Sequence, residues 1–221
     1  MPIDYDQIAL DDYSFEQGSL TNGTLRSYFD RCFDRALEQS GLYPAFGCIN
    51  CAFDGTAEIV LGEKPTHCPQ CGSDRVFQLA TFQGRAPVYG STFASAVKTL
   101  FDLQFDIELL DTPQNTKTHD LEASPRIAIE VKGSARRIRL HDGSTVLLDR
   151  PGMLRSDTEK KAESNARNYK RLNSSGTFFV VTNALPDRLR GIRTDDIDGY
   201  FDLTKVNRVE AFAREVHQLL D

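Results

Sequence analysis

The 221-residue sequence has no apolar run approaching the roughly 20 residues that a membrane-spanning helix needs. Its acidic start, MPIDYDQIALDDY, lacks the basic residues and apolar stretch of a signal peptide. The expectation from these two absences is an intracellular, cytoplasmic protein with no membrane partner. Internal repeats and low-complexity tracts are missing. So are a phosphate-cradling Gly-rich loop, a paired-His metal motif and a serine-hydrolase elbow, which removes the commonest nucleotide-binding, zinc-hydrolase and acyl-transfer chemistries. Excess positive charge is lacking too: the net charge is −6.

That deficit is unevenly spread. Residues 125–193 hold 15 Lys and Arg against 7 Asp and Glu, a balance of +8, which leaves −14 for the rest. Such asymmetry suits one face built for a polyanion, or a solvated helix surface. A hydrophobic content of 40% and a charged content of 26% are ordinary for a globular chain of a size that buries a real core.

Four of the five cysteines form two CxxC pairs, Cys48–Cys51 and Cys68–Cys71, with 16 residues between them. Inside a cell this pattern points to metal rather than to disulfides. Each turn presents two thiolates, and two turns complete a tetrahedron, so the spacing predicts one structural Zn²⁺ held by Cys48, Cys51, Cys68 and Cys71, with His67 a bystander. Four thiolates leave no open position for catalysis, and a small β lobe with few apolar residues needs such a clip to fold. Redox-active cysteines are the competing reading. Cys32 reads as a small apolar core residue on a helix.

Along the chain, residues 1–20 read as an irregular acidic arm. A helix is expected over 24–39, with Asn22 and Thr24 as candidate caps and Gly41 as its stop. TAEIVL and RVFQLATF read as strands of the cysteine lobe, and GRAPVYG as a turn-rich connection. From Ser91 the pattern gives a helix (STFASAVKTLFDLQ), strands at FDIELLD, HDLEA and RIAIEVKG, and a hairpin around Asp142-Gly143. A Lys/Arg-rich helix over 157–172, a buried strand TFFVVTNA and a closing helix over 206–220 complete it. The implied organisation is an arm and helix (1–45), a zinc ribbon (46–82) and an α/β unit with a mixed sheet (83–221).

In RIAIEVKG, alternation sends Ile127, Ile129 and Val131 to one face and Ala128, Glu130 and Lys132 to the other. Asp120 lies ten residues before Glu130, on the preceding strand. Two carboxylates brought together by antiparallel pairing repel unless they share a cation, and Lys132 completes a charge set suited to phosphodiester hydrolysis.

Asp, a spacer, then Glu-x-Lys on a strand resembles the signature of the PD-(D/E)XK, or restriction-endonuclease-like, nucleases, and the resemblance covers roughly residues 91–184. It implies an αβββαβ core and Mg²⁺-dependent hydrolysis of nucleic acid, with Mn²⁺ able to substitute. Asp120 and Glu130 would be metal ligands, the Val131 carbonyl a further one, and Lys132 the catalytic lysine. Products would carry a 5′-phosphate and a 3′-hydroxyl. The sequence departs from the pattern in having His119 where a proline often stands and no glutamate within 91–103. Glu108, Asp111, Glu122 or water would replace that glutamate, with Glu122 favoured because it shares a strand face with Asp120. Lys161 and Asn165, spaced i, i+4, are candidates for contact with the scissile phosphate, and Arg136 and Arg137 for gripping the backbone. Double-stranded DNA is the expected partner, and cutting both of its strands implies a homodimer. Two alternatives stay open: a catalytically inactive zinc-ribbon binding module for nucleic acid or protein, and an enzyme of another class using a Glu–Lys pair.

Overall fold

The computed structural model describes residues 2–15, 19–42, 46–51, 66–78, 82–113, 115–139, 145–148 and 150–221. The first residues form a helix rather than an irregular arm: α1 (Tyr5–Asp12) is capped by Asp4, whose side chain accepts from the Gln7 N–H at 3.0 Å, and it buries Ile8 and Ala9. α2 (Asn22–Ser40) starts from a capping box between Thr21 and Thr24, so Thr21 is the cap. It ends at Gly41, whose φ of +63° suits glycine.

α3 (Phe82–Phe105) corrects the connection expected at residues 84–90: the helix runs straight through Pro87. Helix propensity argues against Gly84, Pro87 and Gly90, but Val88, Tyr89 and Phe93 are buried and packing overrides the local preference. At its far end Asp106 takes a positive φ of 56°, and the chain passes Ile107 and Leu109 into the core before pairing. The strand expected over 105–111 therefore shrinks to β3 (Leu110–Asp111).

The central sheet has five strands in the order β3-β4-β5-β8-β9. β4 (Leu121–Ser124) lies antiparallel between β3 and β5 (Ile127–Lys132). Beyond it β8 (Thr177–Thr182) and β9 (Gly199–Asp202) run parallel to β5. The fold is thus mixed α/β, with five helices and this mixed sheet among the described residues. β9 was not foreseen; GYFD is short, begins with Gly and ends with Asp, yet all four residues are buried.

Both faces of β5 are covered. Ile127, Ile129 and Val131 join the larger core with α1, α2, α3 and α5 (Val206–Leu220), while Ala128 packs into a second core under α4 (Ser156–Leu172). The N-terminal helices share that larger core with the sheet. β6 (Arg137–Arg139) and β7 (Thr145–Leu147) pair as the expected hairpin, whose tip, with His141, Asp142 and Gly143, lies outside the described residues. In the cysteine lobe β1 (Phe46–Cys48) pairs antiparallel with β2 (Val76–Gln78); the expected strand TAEIVL also lies outside. No described helix is long and apolar enough to cross a membrane.

Candidate active site and cysteine lobe

The two CxxC turns face each other. Cys48 Sγ lies 3.7 Å from Cys71 Sγ and Cys51 Sγ 3.6 Å from Cys68 Sγ, and all four sulfurs fall within 4.8 Å of one another. Sulfurs about 2.3 Å from a tetrahedral Zn²⁺ stand about 3.8 Å apart, so this spacing is compatible with a single ion. The second turn is shaped by the Gly72 N–H donating to Cys68 O at 2.8 Å and the Cys68 N–H to Ser73 O at 2.7 Å. Burial pushes the Cys48 thiol up, but the N–H groups of Cys51 and Asn50 donate to its sulfur and bring it down to about 7. Cys48 and Cys68 form a small apolar cluster with Val76, separate from the two cores of the sheet. Cys32 is fully buried on α2, as expected, and its thiol is pushed up to about 12 by burial.

The second cluster sits at the C-terminal end of β5. Asp120 stands just before β4; its N–H donates to Ile129 O at 3.1 Å, and its Oδ2 accepts from the Val131 N–H at 2.7 Å. Those two bonds lock the carboxylate over the end of β5. Lys132 reaches back so that its Nζ touches Glu130 Oε1, lies 3.3 Å from Val131 O and stands 3.8 Å from Asp120 Oδ2. Three oxygens from Asp120, Glu130 and Val131 therefore surround one cation. Glu130 is only 1% exposed, covered by α4, and Asn165 Nδ2 donates to its Oε1 at 2.8 Å. Burial raises the Glu130 pKa; the Lys132 charge and the Asn165 hydrogen bond oppose the rise, and the Asp120 charge adds to it.

Other sequence candidates land elsewhere. Asn165 turns its amide onto Glu130 instead of outward to a phosphate. Lys161 is exposed on α4 and lines the cleft beside Lys132. Arg137 ties the hairpin to α2 through Asp34 at 3.2 Å and Asp30 at 3.9 Å, while Arg136 is half-buried. Glu122, favoured as the replacement carboxylate, is instead paired with His119 Nε2 at 2.8 Å. Asp111, the other nearby carboxylate, lines the cleft with Asp120 and is held by Lys98 at 2.5 Å.

The cleft has two contiguous halves, of about 850 and 550 Å³, that share Gly90, Asp120 and Val131. Gly90 has nothing within 4 Å of where a Cβ would stand, so α3 leaves the site open at this point. Sequence reasoning missed the framework behind the smaller half. Asn183, at the end of β8, accepts from the Ser134 N–H at 3.2 Å and donates to Ser134 O at 2.8 Å. Ser134 Oγ accepts from the Gly152 N–H at 2.7 Å, and Thr182 Oγ1 donates to Lys132 O at 2.6 Å. The signal was the polar Thr-Asn pair that closes an otherwise apolar strand. Gly133 is required by close approach, since a Cβ there would stand 2.1 Å from the Phe93 ring.

The basic balance of residues 125–193 is partly offset by ion pairs among the described residues. Arg155 pairs with Asp157, Arg167 with Asp196, Lys170 with Asp198, Arg188 with Glu159, Arg190 with Asp187 and Arg193 with Glu215. No model of a protein family, no curated protein and no solved structure matches this chain, so its function has to be read from this cluster and its cleft.

Proposed function

We propose that the chain is a metal-dependent nuclease that hydrolyses phosphodiester bonds of nucleic acid, most simply DNA, at the Asp120–Glu130–Lys132 cluster. The observation that carries this reading is the convergence of the Asp120, Glu130 and Val131 oxygens around the Lys132 ammonium. Two carboxylates and a carbonyl are hard donors of the kind Mg²⁺ or Mn²⁺ takes, with water filling the remaining positions. A metal held there would supply an activated water and stabilise the charge that develops on the phosphate. The residues do the rest. Asp120 is fixed by the Val131 N–H, Asn165 orients Glu130, and Lys132 stands where it can meet a phosphate oxygen or hold the attacking water.

The order α3, β3, β4, β5, α4, β8 supports the αβββαβ core that the resemblance implies. The open cleft over the cluster supports access by a polymer. The lobe, in this reading, carries one structural Zn²⁺ on Cys48, Cys51, Cys68 and Cys71.

One observation favours a binding module instead. Glu130 is almost wholly buried and fully engaged by Lys132 and Asn165. Incubation of the zinc-loaded protein with circular and linear DNA, with and without Mg²⁺, separates the two. Mg²⁺-dependent cutting that is lost in Glu130→Gln and Lys132→Ala supports the nuclease. Binding without cutting of DNA or RNA, or cutting that survives both substitutions, sinks it.

A further inference from the structure

The two halves of the cleft carry opposite charge. On the α4 side Lys161 and Arg155 line the cleft with Asp157, which Arg155 binds, while Lys132 belongs to the cluster, held by Glu130 and Asp120. On the α1 side Asp4, Asp6 and Asp111 stand against Lys98, with Asp120 on the divide. With Lys132 counted at the cluster, formal charge is near +1 on the α4 side and −2 on the α1 side.

The acidic half is built rather than incidental. Asp4 is fixed as the cap of α1. Asp6 and Asp111 are drawn together by Lys98, at 3.0 and 2.5 Å, which ties the N-terminal helix to the sheet edge beside Asp120. Lys98 is spent on these two carboxylates, its pKa raised by the bonds they accept despite partial burial, so it offers little to a phosphate.

A polynucleotide crossing the cluster places one phosphate at the cleaved bond and others on either side. Phosphates on the α4 side meet cations; phosphates on the α1 side meet carboxylates at short range, where repulsion is poorly screened. We infer that the strand enters this cleft from the α4 side only and ends in the acidic half, so that the substrate is a strand terminus bearing a hydroxyl rather than a phosphate. This rests on the nuclease reading for its chemistry: a water oxygen bonds to phosphorus, the P–O3′ bond breaks, and the departing 3′ oxygen takes a proton. It narrows the substrate from internal positions to strand ends.

Binding tests it independently of cutting. Full-length, zinc-loaded protein in magnesium-free buffer is titrated with a single-stranded oligonucleotide as an open strand, as a closed circle of the same sequence, and with a phosphate on the 5′ or the 3′ end. The open hydroxyl-ended strand binds at least about tenfold more tightly than the circle, and a phosphate on one of the two ends costs a similar factor. Lys161→Ala weakens the open strand about tenfold. The Asp4→Asn/Asp6→Asn double variant keeps the helix cap and closes most of the gap between strand and circle. A circle bound as tightly as the open strand overturns the inference, as does a gap that the double variant leaves unchanged. If Glu130-dependent cutting of circles proceeds as fast as that of linear DNA, the nuclease reading stands and the terminus does not. If end preference in binding is found without Mg²⁺-dependent cutting, the nuclease reading fails instead.

Discussion

Asn165 on α4 donates its side-chain amide to Glu130 on β5 at 2.8 Å, across the interface between the helix and the most central strand of the sheet. The bond holds the carboxylate while favouring its charged form. In the proposed nuclease Asn165 acts through Glu130, as a positioning residue. Asn165→Ala is expected to lower kcat roughly 10- to 100-fold, in line with the loss of an outer partner of a metal ligand. The acid limb of the pH–rate profile should move to higher pH in the same variant. A purely structural role would lower the melting temperature without moving that limb.

Glu130 also makes the protein's stability depend on pH. Its folded pKa is raised by burial, so its contribution to stability is fully present below the unfolded value near 4.5 and is lost as pH rises through the raised folded value. The melting temperature of wild type should therefore fall relative to that of Glu130→Gln as pH increases from about 4.5. Comparison of the two proteins cancels the acid sensitivity of the cysteine lobe. Adding Mg²⁺ should stabilise wild type by mass action, increasingly so at higher pH, and leave Glu130→Gln unmoved. Parallel pH curves for the two proteins would remove Glu130 as the group responsible.

If the lobe holds the proposed zinc, removing it should leave the sheet standing. Cys48, Cys68 and Val76 form their own cluster, and the two cores of the central sheet are built without them. Wild type should carry one zinc per chain, and Cys51→Ser should weaken its retention sharply. Circular dichroism after chelation should keep most of its helical signal, because the helices belong to the other cores. Global unfolding on chelation would mean that the lobe braces the whole chain.

Gly133→Ala tests the floor of the cleft. A methyl group there would collide with Phe93, itself fully buried on α3. Overpacking of this kind costs about 1–3 kcal/mol and displaces the neighbouring Lys132, so both stability and activity should fall. Phe93→Leu added to it should return part of the stability. Gly90→Ala makes the contrast: with open space at its Cβ, it should gain about 1 kcal/mol from helix propensity.

Much of this was readable in advance where the local pattern and the burial agree. The closing helix at Val206–Leu220 and the alternation of β5 follow from periodicity, and the strand at Thr177–Thr182 from its short, continuously apolar run. The paired CxxC turns announce a cluster because their chemistry is confined to a few residues at fixed spacing. Failures came where distant packing decides. Pro87 and Gly90 argue for a break, yet buried Val88, Tyr89 and Phe93 hold α3 intact. Glu122 shares β4 with Asp120's neighbours, but alternation could not show that His119 would claim it. The orientation of Asn165 depends on the seating of α4 against β5, and the partners of Arg137 on the docking of a hairpin against α2. Neither relation is local in sequence.

The internal pairing of the basic segment has a further consequence, for how the protein meets bulk nucleic acid. Each phosphate neutralised by a protein cation releases condensed counterions, and the logarithm of affinity falls with that of salt by about 0.9 per contact. With Arg155, Arg167, Lys170, Arg188, Arg190 and Arg193 each paired with an acidic neighbour, a phosphate that meets one of them displaces a carboxylate rather than a counterion, and the salt dependence is set by a smaller number of contacts. A slope of about −3 corresponds to roughly three contacts, far shallower than that of a protein that coats a duplex. Such a protein spends little time on arbitrary stretches of polymer and tolerates ordinary ionic strength. Its choice of where to act then rests on the shape and ending of the strand more than on the density of its charge.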